Sequence, residues 1–233
     1  MSNSIPDDSF DLVELEPASA VAIFADRVEL ARRYVRALAT DGVVRGLIGP
    51  REPARLWSRH VLNSAAVAQL IGEGATVVDI GSGAGLPGIP LAIARGDLSV
   101  ILVEPLERRV RFLLEIVEAL QLTSCRVIRG RAEDVLADAG GADVVTSRAV
   151  APLHRLVGWS APLIRNDGLL LAMKGTSAQE ELDRDRAAVT AAGLTAAEVV
   201  QLEDGAGETT YVIRARRQAG RRLPAGRSQR SRR

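Results

Sequence analysis

The sequence predicts an α/β fold: a seven-stranded, mostly parallel sheet covered by helices and preceded by an N-terminal helical extension. Three observations predict it. From residue 75 onward, short apolar runs alternate with helix-length segments, the pattern of a parallel sheet with helices on both faces. The last two strand-like runs, 195–203 and 209–216, are separated only by a turn around Asp204-Gly205-Ala206-Gly207, so they close the sheet as a hairpin. The first strand-like run, Val77, Val78 and Ile80, ends in Asp79 and four glycines, Gly81, Gly83, Gly85 and Gly88. Glycine permits a sharp turn and lets a ligand approach backbone with no Cβ in the way.

The elements follow in order. Residues 18–39 carry Val21, Phe24, Val28, Ala31, Val35 and Leu38 at helical spacing with Arg and Glu between them. Thr40-Asp41-Gly42 ends that helix, and residues 42–53, rich in Gly, Arg and Pro, read as a loop. A second helix over 53–70 offers Leu56, Val61, Leu62, Ala65 and Val67 as its apolar face. These two helices are expected to cap the sheet. Strands follow at 76–80, 99–104, 125–129, 142–147, 168–174, 195–203 and 209–216, with helices at 87–95, 106–121, 152–165 and 177–192. Five βα repeats closing on an antiparallel hairpin is the Rossmann-like layout of class I SAM-dependent methyltransferases (SAM, S-adenosylmethionine), and dinucleotide folds do not usually end this way. The expected organisation is a flexible N-terminus over 1–16, a helical cap over 17–73, the catalytic domain over 74–217 and a basic disordered tail over 218–233.

The glycine turn alone leaves the ligand open. Gly83, Gly85 and Gly88 satisfy G-x-G-x-x-G, and Glu104 follows Gly83 by 21 residues, near the place of a dinucleotide fold's ribose-binding acid. A purely structural turn is the third reading. Against a pyrophosphate, the match begins four residues after the strand-end acid, and Pro87 sits inside the turn. Asp79, two residues before the first glycine, suits a cationic group such as the amine of a methionine moiety, which favours SAM.

Composition bounds the rest. The chain of 233 residues suits one α/β domain with an extension. It is 47% hydrophobic and only 3% aromatic, so the core is built from Ala, Val, Leu and Ile. One cysteine, Cys125, excludes an internal disulfide and fits a reducing compartment. The acidic N-terminus lacks a basic and apolar leader, and no apolar run is long enough to span a bilayer, so a cytoplasmic protein without membrane attachment is expected. The net charge of +1 hides an asymmetry: nine arginines and no acid lie between Arg214 and Arg233, leaving about −8 on the remainder. A basic arm is a footprint for nucleic acid, and a solubilising tail is the plainer reading. Two histidines and one cysteine predict no zinc site.

Ligands in open α/β sheets bind outside the carboxyl ends of the strands. Those ends carry Asp79 and the glycines; Glu104, suited to ribose hydroxyls; Arg131, Ala132 and Glu133, suited to an adenine edge; Ser147 and Arg148; and Lys174-Gly175. At these residues the chain resembles the RsmG (GidB) family of bacterial methyltransferases. The resemblance rests on RHVLNS at 59–64, DIGSGAGLPGIPLAI at 79–93, EPLERRVRFL at 104–113, GRAED at 130–134, SRAVAPL at 147–153 and MKG at 173–175, and it covers residues 20–215. It implies a SAM-dependent enzyme that methylates a guanine N7 in small-subunit (16S) ribosomal RNA, with cofactor contacts at Gly81, Leu86, Ala132, Glu133 and Arg148. Asp79, Gly83 and Glu104 join that set by position. Two departures touch the N-terminal surface: GVVRGLIGPREP replaces a segment that often contains Asn-Leu-Thr, and Asn63 stands where many members have Asp.

Guanine N7 already presents a lone pair, so no base is needed to deprotonate it, and the protein's part is chiefly positioning. The product ring gains positive charge, so Arg148 and Lys174 are expected to hold phosphate or the O6 edge rather than N7. Arg59, His60, Arg148 and Lys174 are the candidate RNA contacts. With Trp57, Trp159, Tyr34 and Tyr211 scattered, recognition should come from phosphates and RNA shape, on rRNA or the 30S subunit, by a monomer. Another methyl acceptor, or a non-catalytic RNA-binding module, is the alternative.

Overall fold

The computed structural model describes residues 13–219. The first twelve residues of the expected flexible N-terminus, and residues 220–233 of the expected basic tail, lie outside the described residues. The strands are β1 (Thr76–Ile80), β2 (Ser99–Glu104), β3 (Cys125–Arg129), β4 (Ala142–Arg148), β5 (Ile164–Lys174), β6 (Leu194–Glu203) and β7 (Thr209–Arg217). They form one sheet in the order β3-β2-β1-β4-β5-β7-β6. The first five run parallel, and β7 is antiparallel to both β5 and β6. The predicted fold class and its closing hairpin are both present.

β1 pairs with β2 on one side and β4 on the other. Winding reverses there, and the crevice at the carboxyl ends of β1 and β4 is where this architecture places ligands. Both faces of the sheet are covered, which is why its central strands read as continuous apolar runs. Along β1, Val77 enters one core and Val78 and Ile80 the other.

On the first face lie α1 (Ser19–Phe24), α2 (Val28–Ala37), α3 (Asn63–Ala65), α4 (Gly88–Ala94) and α5 (Glu107–Ala119). Phe24, Tyr34, Leu56 and Trp57 share a single core with Ile89, Leu91, Leu102 and Phe112, so the N-terminal helices are continuous with the sheet's packing. On the second face lie α6 (Leu136–Ala139), α7 (Leu153–Ser160) and α8 (Ala178–Ala191).

The N-terminal helices depart from the predicted continuous ones. Residues 18–39 break at a 3₁₀ turn, Ala25–Arg27, where Ala25 has φ 47°, and α2 ends in a π turn, Leu38–Gly42. Residues 53–70 comprise a 3₁₀ turn (Pro53–Arg55), a π segment (Leu56–Leu62), α3 and another 3₁₀ turn (Ala66–Leu70). The π segment buries Leu56, Trp57, His60, Val61 and Leu62. Apolar spacing alone does not separate this wider winding from an α-helix, and π turns recur at functional sites.

A second departure follows α7. The helix expected to reach residue 165 stops at Ser160, and Pro162 lies in a 3₁₀ turn, Ala161–Leu163. β5 then begins early, because Ile164 pairs with Ala142 before the register shifts to Val144 and Leu169. Asn166-Asp167-Gly168, with Asp167 at φ 63°, absorbs that shift.

Candidate active site

The glycine turn is built by backbone bonds to β2: the N–H groups of Gly81 and Ser82 both donate to the Val103 carbonyl. Gly81 has φ 69°, and a Cβ there would stand 2.7 Å from Val150 Cγ2. Gly88 opens α4 against Asp79, where a Cβ would come within 2.9 Å of Asp79 Oδ2 and would also meet the Leu102 side chain. Tyr34, wholly buried on α2, donates its hydroxyl to the Ala84 carbonyl at 2.8 Å. The N-terminal segment therefore holds the turn from behind.

Asp79 lies behind the turn rather than on its surface. It is 0% exposed; Oδ2 accepts the Gly88 N–H at 3.0 Å, and Oδ1 is buried without a hydrogen-bond partner. Burial pushes its carboxyl up to about 7, opposed by the Gly88 N–H and assisted by the nearby Glu104 charge. A carboxyl raised from 3.8 stabilises the fold fully in acid and loses that contribution as pH climbs toward 7. Asp79→Asn keeps an acceptor for Gly88 and cannot ionise. Its melting temperature relative to the unaltered protein is expected to rise between pH 4 and 7.5, by the equivalent of a few (~3–4) kcal/mol; a pH-independent difference in thermal melts would refute this.

Glu104 ends β2 with a side chain 1% exposed. Oε2 accepts the Gly83 N–H at 2.9 Å and Oε1 the Leu106 N–H at 3.0 Å. One carboxylate thus joins the glycine turn to the start of α5, with Arg109 beside it at 3.8 Å.

Arg148, at the end of β4, reaches across to the π segment. It donates to the carbonyls of Arg59 and His60, to Ser64 Oγ, and at 2.9 Å to His60 Nδ1. Nδ1 therefore accepts, and Nε2–H donates to Glu52. Burial, with the Arg148 charge beside it, lowers the imidazole to about 4, so His60 is neutral at pH 7. Both ring nitrogens are engaged and His60 is 9% exposed, which makes it a support for Arg148. Lys174, at the end of β5, donates to the Ala151 carbonyl and to Glu181 Oε1, which also accepts the Leu153 N–H. The two cations expected to hold RNA thus brace the β4–α7 loop and its surroundings. Arg59 remains exposed on the π segment, 3.9 Å from Glu52.

Three cavities open at this end of the sheet. The first, about 540 Å³, is lined by Gly81, Gly83, Leu86, Glu104 and Arg148 together with Leu47-Ile48 of the N-terminal segment. The second, about 290 Å³, holds Ala132, Glu133, Arg155 and Trp159, and shares Gly81, Pro105 and Val150 with the first. The third, about 490 Å³, adjoins the first through Arg148 and Ala149 and extends over Lys174. Every candidate cofactor residue except Asp79 lines one of the first two. Sequence reasoning missed Tyr34, Leu47, Ile48 and Trp159. Of these only Tyr34 carried a signal, a hydroxyl on an apolar helix face that needs a buried partner.

The donor set fits SAM. The first cavity is lined by an acid at the end of β2 and by the glycine turn, and the second sets the Trp159 ring beside Ala132 and Glu133, a lining compatible with the ribose and adenine of that cofactor. Among the described residues, no three His, Cys, Asp or Glu side chains gather as metal ligands, and no helix is long and apolar enough to cross a membrane.

Comparison with known proteins identifies the family and the fold. The family model described as rRNA small subunit methyltransferase G matches residues 27–210. A protein of that name from Rhodococcus jostii is 56% identical over 210 residues, covering 89% of this chain and 92% of its own. One from Corynebacterium jeikeium is 58% identical over 179 residues, covering 76% and 80%. Among solved structures, a SAM-dependent methyltransferase from Aquifex aeolicus superposes with a TM-score of 0.54 at 20% identity, covering 70% of this chain and 93% of that one.

Proposed function

The chain belongs to the rRNA small subunit methyltransferase G family, and on that premise we propose that it transfers a methyl group from S-adenosylmethionine to N7 of a guanine in small-subunit ribosomal RNA. The family match across residues 27–210 carries this reading; guanine N7 is the acceptor that the family resemblance implies. Bound SAM supplies an electrophilic methyl on a sulfonium. Guanine N7 would meet that methyl with a lone pair that needs no deprotonation, so the reaction asks no general base of the protein. The protein's contribution is alignment, which in well-oriented reactions supplies up to ~7–11 kcal/mol.

In this reading Gly81, Gly83, Leu86 and Glu104 hold the methionine and ribose portion, and Ala132 and Glu133 the adenine. Asp79 shapes the turn from behind through Gly88, and Arg148 fixes the wall between cofactor and acceptor. Both terminal nitrogens of Arg148 and the Lys174 ammonium are bonded to protein acceptors, which holds these cations in the walls. Exposed Arg55 and Arg59, which line the third cavity, meet RNA phosphates. The enzyme acts as a cytoplasmic monomer on the 30S subunit or its rRNA.

The test is methyl transfer from labelled SAM to small subunits that lack native N7 methylation, with the site mapped by strand cleavage at N7-methylguanine. One labelled guanine is expected. Label at another atom or on another RNA would discard the target, and no label would discard the reading.

A further inference from the structure

The third cavity contains an acid that the reaction as described does not use. The cavity is walled by Arg55, Arg59 and Asn63 from the N-terminal segment, by Lys174 from β5, and by Glu208 and Tyr211 from the β6–β7 hairpin. At about 490 Å³ it lies within the range of nucleotide-sized clefts, roughly 300–1,000 Å³. Its walls are tied together: Thr210 Oγ1 donates to the Asn63 carbonyl, and Tyr211 pairs with Lys174 across β7 and β5.

Glu208 is the one carboxylate in this lining, which otherwise carries four cationic side chains including Arg148. Yet among the described residues it forms no ion pair with any of them: Arg59 faces Glu52, and Lys174 faces Glu181. Its backbone is fixed, because Asp204, wholly buried, accepts the Glu208 N–H on Oδ1 and returns its own N–H to the Glu208 carbonyl. Glu208, an exposed residue of the hairpin turn with a fixed backbone, offers an unpaired carboxylate to a cleft of cations, where it is poorly suited to phosphate. It is well suited to two adjacent neutral N–H donors.

We propose that this cavity receives the acceptor guanine, turned out of the RNA stack, and that Glu208 reads its N1–H and N2–H groups. The inference rests on the function proposed above. Guanine presents those two donors along the edge away from N7, whereas adenine offers a bare N1 there. With N7 toward the cofactor cleft, across Arg148 and Ala149, the Watson–Crick edge faces the far wall. Tyr211 and Met173 give the base an aromatic and apolar lining, as pockets for extruded bases have. Arg55 and Arg59 lie at the same cavity for the flanking phosphates. The carboxylate also offsets the positive charge that methylation places on the purine ring, so Glu208 acts on rate as well as on choice of base.

The experiment compares guanine with inosine, which keeps N7 and N1–H and lacks the 2-amino group. Small subunits are reconstituted with rRNA carrying either base at the site mapped for the unaltered enzyme, and kcat/KM is measured for that enzyme and for Glu208→Gln. The unaltered enzyme is expected to prefer guanine by about 10- to 100-fold, the usual worth of a hydrogen bond to a charged group. Glu208→Gln is expected to lose a similar factor on guanine and to discriminate less than threefold, with its SAM affinity unchanged. Equal rates on guanine and inosine by the unaltered enzyme would overturn the proposal, as would a variant that keeps the full preference. Absence of N7 transfer to guanine by the unaltered enzyme would instead bring down the proposed function, and this inference with it.

Discussion

Arg148→Ala is expected to lower methyl transfer by at least about 100-fold and to destabilise the fold by about 1–3 kcal/mol, since it strands several part-buried acceptors at once. The guanidinium ties the end of β4 to the Arg59 and His60 carbonyls, Ser64 and the His60 ring. Burial lowers its pKa to about 10, which still leaves it charged at neutral pH. Because it lines both the cofactor cavity and the proposed base cavity, its loss frees the π segment from the wall that the two share. Arg148→Lys is expected to rescue little: one ammonium cannot span acceptors that a planar fork reaches together. Single-turnover methylation and thermal melting of both variants check this. An alanine variant with near-normal rate and melting temperature would show that the bridge is dispensable.

Glu104→Ala is expected to weaken SAM binding by about 10- to 100-fold, as loss of charge-assisted hydrogen bonds worth roughly 1.5–3 kcal/mol requires. Two effects combine. The Gly83 and Leu106 N–H groups lose their acceptor, so the turn and the start of α5 separate. The ribose hydroxyls also lose the carboxylate proposed to receive them. Glu104→Gln separates the two, since its amide accepts one N–H and opposes the other. It should fall between the unaltered protein and the alanine variant in calorimetric titration with SAM. Unchanged affinity in both variants would remove Glu104 from the cofactor site.

Much of the architecture was legible because its signals are local. The apolar runs of β1 and β2, the glycines after Asp79 and the short Asp204–Gly207 turn each report on a few neighbouring residues. The N-terminal windings were not legible. An apolar stripe from Leu56 to Leu62 reads the same for an α-helix as for a π segment, and the bonds Arg148 makes to carbonyls there come from 88 residues away, beyond any local pattern. The start of β5 was hidden for the same reason, since Ile164 becomes strand only by pairing with Ala142.

The candidate site divides along the same line. Residue types and spacing at the strand ends put Gly81, Glu104, Ala132 and Arg148 at one end of the sheet without any structure, and they favoured SAM; the family resemblance supplied the rest of that reading. Parallel pairing puts the carboxyl ends of β1 to β5 on one side, so position in sequence fixes position in space. Tertiary structure alone decided what each charged group is free to do. Asp79 is sealed behind Gly88, His60 is neutral between Glu52 and Arg148, and Lys174 is bound to Glu181, whereas Glu208, unremarkable in the sequence, stands unpaired in a cationic cleft. A charge takes its role from its partners and from its exposure to water, and residues distant in the chain supply both.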